Sequence, residues 1–172
     1  MSQKTPAVMI TEEEINKKVS ELGKQLADKY RDLDPVIICP LKGSFVFTAD
    51  LVRAMDIPCE IEFMIVSSYG SGTVSSGSIN IKKDIEKDIK GRHIIIIEDI
   101  IDTGNTLFAL KNMLLEREPA SVIICTLLDK PSRRTADIKS DYSLFVIPDK
   151  FVVGYGMDAD EKYRQLPYIG VF

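Results

Sequence analysis

The sequence predicts an α/β fold with a mostly parallel central sheet flanked by helices, and three observations carry that prediction. Short aliphatic runs alternate with stretches of helical periodicity through the middle of the chain, the order that βαβ units produce. His93 to Ile97 is a five-residue stretch rich in β-branched residues and without polar alternation, the mark of a strand covered on both faces. That run passes directly into an acidic, glycine-containing turn and then into a helical pattern.

Each element has its own local cause. Thr11 followed by Glu14 forms a capping box, after which Ile15, Val19, Leu22, Leu26 and Tyr30 recur at helical spacing. This helix ends near Asp32-Leu33-Asp34-Pro35. Val36 to Cys39 is a short strand broken by Pro40 and Gly43. Phe45 to Met55 reads as a helix with Phe45, Thr48, Val52 and Met55 along one face. Cys59, Ile61, Phe63 and Ile65 alternate with Glu60, Glu62 and Met64, which is the period of a strand. Residues 67 to 78 contain 6 Ser and 3 Gly, too polar and glycine-rich for a core or a stable helix. A strand resumes at Ile79 to Ile81, and Lys90-Gly91 is a turn. After the His93 strand, Leu107, Leu110 and Leu114 mark a helix. Ser121 to Leu128, Tyr142 to Ile147 and Tyr168 to Phe172 are the later strands. No repeat and no linker divides the chain, so residues 1 to 172 are expected to form a single domain.

Composition narrows the function classes. The 172 residues are 45% hydrophobic, enough for a core without disulfides or structural metal. The 22 basic against 26 acidic residues give a net charge of −4. A general nucleic-acid or anionic-membrane binder would carry a basic excess instead. One local anion site on an acidic body stays open. Cys39, Cys59 and Cys125 are widely spaced without a C-x-x-C pair, as expected of reduced thiols in a cytoplasmic protein. A single histidine, His93, argues against a Cys/His zinc site and against Ser-His or Cys-His nucleophiles. The first nine residues show no signal-peptide pattern, and the longest purely aliphatic run, Ile94 to Ile97, is too short to cross a bilayer. Gly154-x-Gly156-x-x-Ala159 matches a dinucleotide fingerprint formally, but too little chain follows for the helix and strand it requires.

The most informative stretch is Glu98-Asp99-Ile100-Ile101-Asp102-Thr103-Gly104-Asn105-Thr106-Leu107. A helix N-terminus behind a strand offers free N–H groups and the positive end of the helix dipole to an anion. Thr103 and Thr106 add hydroxyl donors, and Gly104 lets a phosphate approach the backbone. The three carboxylates alongside would repel a bare phosphate. They suit a ligand that also carries hydroxyls or a divalent cation, such as a sugar phosphate with Mg²⁺.

This stretch closely resembles the phosphoribosyl-diphosphate (PRPP) motif of type I phosphoribosyltransferases. Pro40-Leu41-Lys42-Gly43-Ser44 resembles the pyrophosphate loop of that family, and Ser67-Ser68-Tyr69-Gly70 the start of its flexible loop. Leu127-Leu128-Asp129-Lys130 and Asp149 to Asp158 resemble the base-binding elements of the hypoxanthine-guanine members. The tail Leu166-Pro167-Tyr168-Ile169-Gly170 is similar to that of compact bacterial forms. The likeness runs from about residue 10 to the end.

The resemblance implies a type I phosphoribosyltransferase fold with a small hood, and a Mg²⁺-dependent transfer of phosphoribose from PRPP to hypoxanthine or guanine. By it, Glu98 and Asp99 hold the ribose hydroxyls and, with Asp158, the metal. Asp102, Thr103, Gly104, Asn105 and Thr106 wrap the 5′-phosphate. Asp102 acts as general acid/base at purine N7. Lys42, Gly43 and Arg164 meet pyrophosphate, and the family allows Leu41–Lys42 to be a cis peptide. Lys130 addresses O6, Phe151 stacks on the base, and Val152 and Asp158 complete its pocket. Ser68 and Tyr69 belong to a loop that closes over the reaction. Asn105 stands where eukaryotic relatives carry a lysine, which removes one cationic contact. The family also implies a homodimer or homotetramer, with the helix from Phe45 to Met55 as a candidate interface. A xanthine-preferring enzyme and a PRPP-sensing RNA-binding regulator of the same fold remain alternatives.

Overall fold

The computed structural model describes residues 5–68 and 79–172. Its main sheet has the strand order β4-β3-β2-β5-β6-β7, with β2 (Val36–Pro40), β3 (Glu60–Ser68), β4 (Ile79–Lys83), β5 (His93–Ile101), β6 (Ser121–Asp129) and β7 (Tyr142–Val146). The pairs β2–β3, β2–β5, β5–β6 and β6–β7 are parallel, and only β4 runs antiparallel, against β3. A second, three-stranded sheet orders β1 (Ala7–Ile10), β9 (Ile169–Val171) and β8 (Val152–Val153). It is the hood. The short β1 and β8 carry no periodicity that a sequence reading can detect.

Helix α1 (Glu12–Tyr30) starts at the expected capping box: the Glu14 N–H donates to Thr11 Oγ1 at 3.2 Å and the Thr11 N–H to Glu14 Oε2 at 2.8 Å. Its apolar stripe of Ile15, Val19, Leu22, Leu26 and Tyr30 is buried throughout, each such side chain contributing about 1.5–3 kcal/mol of transfer free energy. With α2 (Phe45–Met55) it covers one sheet face, and the core between them runs on into the hood through Ile10, Val152 and Ile169. On the other face α3 (Asn105–Leu115) buries Leu107, Leu110 and Leu114 against Val36, Ile38, Ile94 and Ile96. Ile94 to Ile97 are fully buried, as a strand covered on both faces requires.

Three local expectations change. The buried side of α2 is Phe47, Thr48, Leu51 and Met55, whereas Phe45 is exposed and Val52 half-buried. The helix is rotated because Phe47 and Leu51 fill the space against α1 and the sheet. In β3 the alternation is present but inverted: Met64 is buried while Ile61, Phe63 and Ile65 stay exposed. The strand β5 does not stop at Ile97 but continues through Glu98 and Asp99 to Ile101, paired with β6. His93 is structural, its Nδ1 2.8 Å from Ser121 Oγ and its ring edge-on to Tyr30. No helix among the described residues is long and apolar enough to cross a membrane.

Candidate active site

Because β2, β5 and β6 are parallel, their carboxyl ends share one edge of the sheet, where ligands of open α/β folds bind. From these ends come the loop holding Lys42 and Gly43, the acidic stretch Glu98 to Thr106, and Lys130. The hood lies across them and supplies Phe151, Val152, Asp158 and Arg164.

The loop between β5 and α3 is a backbone cradle. Gly104 takes the N-cap of α3 at φ +83°, with no side chain to cap the helix. A Cβ there would stand 2.6 Å from Ile138 Cγ2 and 2.9 Å from Arg134 Cδ, so only glycine fits. The segment after β6 holds this loop from behind. The Thr103 carbonyl accepts the N–H groups of Thr135 at 3.0 Å and Ala136 at 3.1 Å. Arg134 donates to the carbonyls of Asp102 (3.0 Å), Ile101 (3.2 Å) and Ile138 (2.8 Å), and pairs with Asp129. Glu98, Asp102, Thr103, Gly104 and Thr106 line the resulting recess. Asn105 does not; its side-chain carbonyl accepts from the Thr135 hydroxyl at 3.3 Å, and its backbone N–H donates to Thr103 Oγ1 at 3.4 Å.

Glu98 and Asp99 lie side by side, half-buried. Burial pushes the Glu98 carboxyl well above the usual range, and the Asp99 charge adds to this. Burial raises Asp99 as well, opposed by hydrogen bonds to its carboxylate, including that of the Ile100 N–H at 2.7 Å. Gly43 packs on this pair so closely that a Cβ would stand 1.7 Å from Asp99 Oδ2. The adjoining Leu41–Lys42 peptide is cis.

The expected pyrophosphate cations converge on one hood carboxylate. Lys42 Nζ donates to both Glu161 oxygens at 3.0 Å, and Arg164 Nη2 reaches Glu161 at 3.2 Å and Asp158 Oδ1 at 2.8 Å. Arg164 Nη1 also donates to the Gly156 carbonyl at 2.8 Å.

Between these ends, Asp99, Ile100, Asp102, Lys130, Phe151, Val152, Met157 and Asp158 line a cleft of about 240 Å³. Lys130 is buried, its N–H on the Ile101 carbonyl at 3.0 Å. Phe151 is 64% exposed, so it is a face of the cleft and not a core residue. Val152 is the reverse: its side chain is buried and its backbone pairs with Val171 in the hood. Asp102 Oδ1 accepts from Arg133 Nε at 3.0 Å and does not cap the helix.

Two expectations divide here. Among the described residues no three carboxylate, cysteine or histidine side chains stand together as a metal cage, so Glu98, Asp99 and Asp158 do not form one ligand set by themselves. Asp158 instead engages Arg164 and the Glu161 N–H, the latter at 2.8 Å. Ser68 ends β3, but its side chain and Tyr69 lie outside the described residues. Sequence reading missed Arg133, Arg134, Asp149 and Glu161. Only the consecutive Arg133-Arg134 after Lys130, and Glu161 three residues from each of Asp158 and Arg164, hinted at them.

Comparison with known proteins agrees with this geometry. Residues 9–160 match the phosphoribosyl transferase domain family. The hypoxanthine-guanine phosphoribosyltransferase of Bacillus subtilis is 55% identical over 164 residues, 95% of this chain and 91% of that one. The hypoxanthine phosphoribosyltransferase of Escherichia coli is 49% identical over 168 residues, 96% and 94% of the two chains. A crystal structure of a hypoxanthine phosphoribosyltransferase from Staphylococcus aureus superposes with a TM-score of 0.93 at 47% identity, covering 96% of this chain and 90% of that one. With the parallel sheet, the glycine-capped cradle and the hood already in place, the chain belongs to the phosphoribosyltransferase family, in its hypoxanthine-guanine branch.

Proposed function

We propose that this enzyme transfers the phosphoribosyl group of PRPP to hypoxanthine or guanine, releasing pyrophosphate and forming the nucleoside monophosphate. The observation that carries this reading is the single cleft shared by Asp102, Lys130 and Phe151, continuous through Asp102 with the backbone cradle. The cradle's N–H groups and the Thr103 and Thr106 hydroxyls take the 5′-phosphate. Glu98 and Asp99 accept from the ribose hydroxyls. Phe151 stacks on the purine, and Lys130 donates to O6, which adenine's amino group cannot accept. Asp102 takes the N7 proton as the base attacks C1′. Lys42 and Arg164 stabilise the departing pyrophosphate.

Mg²⁺ fits this site as the companion of PRPP. It binds through one or two carboxylates together with substrate oxygens and needs no protein cage, and the raised Glu98–Asp99 pair is one that a cation relieves. Glu98, Asp99 and Asp158 are its candidate ligands, one or two at a time alongside substrate oxygens, and its charge would offset that of the pyrophosphate. The same reading places the chain in the cytoplasm, where its free cysteines stay reduced, as a homodimer or homotetramer. The apolar strip Ile61, Phe63 and Ile65 supports self-association.

Assaying hypoxanthine, guanine, xanthine and adenine side by side with PRPP and Mg²⁺ tests the reading. Nucleotide is expected from the first two, and turnover confined to xanthine or adenine would overturn it. Asp102→Asn should keep PRPP binding and lose turnover by about 100-fold or more. Lys130→Ala should weaken purine use far more than PRPP use.

A further inference from the structure

The two groups that would address the purine edge come from different strands, Asp102 beyond the end of β5 and Lys130 just beyond β6. Whether one base meets both depends on the spacing between them. A chain of alternating charges spans that spacing. Asp102 Oδ1 lies 3.0 Å from Arg133 Nε. Arg133 Nη1 lies 3.5 Å from Asp149 Oδ2, and Asp149 Oδ1 lies 3.9 Å from Lys130 Nζ.

Neither Arg133 nor Asp149 lines the cleft itself, so a purine need not displace them. The chain also keeps both ends available: Arg133 engages Asp102 through Oδ1, leaving Oδ2 to the base. Arg133 sits at the end of the 3₁₀ turn Pro131–Arg133, whose own bond, Arg133 N–H to the Lys130 carbonyl at 3.1 Å, fixes it relative to Lys130. A guanidinium suits the task because its rigid plane presents donors in two directions at once.

We propose that Arg133 and Asp149 are positioning residues for purine recognition. Through them Asp102 and Lys130 are held at the separation that matches N7 and O6 of a 6-oxopurine. The inference rests on the function proposed above and adds two residues to it.

The test is steady-state kinetics of the full chain carrying Arg133→Met, Asp149→Asn or both, with each substrate varied in turn. Each single change should lower kcat/KM for hypoxanthine and guanine about fivefold, the scale of a partly exposed ion pair, while KM for PRPP stays unchanged. The double variant should be no worse than the poorer single one, since both changes break one bridge. Unchanged purine parameters, multiplied losses in the double variant, an equal rise in KM for PRPP, or a gain in purine kcat/KM would each overturn the proposal. Arg133 and Asp149 are about half exposed, so melting temperatures should match the parent. Should the Arg133 variant fail to fold, Asp149→Asn carries the test. A parent chain inert toward both purines overturns the function itself and the inference with it. An active parent with unmoved variants overturns the inference alone.

Discussion

The two ends of the cleft, proposed above to take the 5′-phosphate and the pyrophosphate, are built from opposite materials. At the phosphate end the donors are backbone N–H groups, and what holds them is largely backbone too: the Thr103 carbonyl is tied by Thr135 and Ala136, with Arg134 clamping the carbonyls beside it. At the pyrophosphate end the donors are the side chains of Lys42 and Arg164, and what holds them are the side chains of Glu161 and Asp158. The backbone around them is unusual, with Tyr155, Asp160, Glu161 and Tyr163 all at positive φ. The contrast shows what each end is prepared for. The first has its shape before any ligand arrives. On the proposed reading the second trades one anion for another, which suits a group that binds, leaves and binds again.

That contrast can be broken or sharpened by substitution. The largest effect is expected from Gly104→Ala, which forces a Cβ into Ile138 and Arg134 at a left-handed position. Strain of this kind costs roughly 1–3 kcal/mol, so KM for PRPP should rise by about 5- to 150-fold. Lys42→Met removes a charge-assisted contact at the other end and should weaken pyrophosphate about tenfold by calorimetry, with a shallower salt dependence than the parent. Glu161→Gln should act in the opposite direction, tightening pyrophosphate about threefold, because an exposed competing carboxylate is worth less than about 1 kcal/mol. Unchanged affinity would show that Lys42 and Arg164 do not have to exchange partners.

The smallest effect is on stability. A carboxyl whose folded-state pKa is raised, as at Glu98, contributes stability below the ordinary carboxylate range and loses it as pH rises through the raised value. Glu98→Gln should therefore raise Tm at neutral pH by about 2 °C. The gain should vanish as pH is lowered into the ordinary carboxylate range.

The phosphate end was also the legible one. A strand, acids, threonines and a glycine in fixed order leave few three-dimensional arrangements, and the cradle sits where the spacing predicts. Lys130 and Phe151 were legible only through their neighbours in sequence, because a lone lysine or phenylalanine carries no signal about its surroundings. Arg133 and Glu161 were legible only as spacing hints, and Asp149 only as the start of a base-binding stretch, none of them with a role. Their roles depend on partners from distant turns, and Asp149 meets Arg133 only because β6 and β7 are neighbours in the sheet. Faces were harder to read than elements. In β3 the apolar positions Ile61, Phe63 and Ile65 point away from the core, since α3 packs on the face that carries Met64, and periodicity alone does not say which face is covered. The hood was expected only from the family resemblance, and of its strands the residues themselves showed only the last, within Tyr168 to Phe172; β1 and β8, 4 and 2 residues long, are shorter than any pattern they might show.

The hood's topology bears on how the molecule assembles. Among the described residues, 7–10 pair with 169–171, and 152–153 pair with 170–171. During synthesis the earliest strand must wait for almost the whole chain, whereas β2, β5 and β6 meet over shorter loops, whose closure costs less entropy. The parallel sheet with its phosphate cradle is therefore expected to form first, and the purine-facing wall last. A nascent or partly unfolded chain would then have its cradle and Lys130 in place before Phe151 and Val152 complete the cleft.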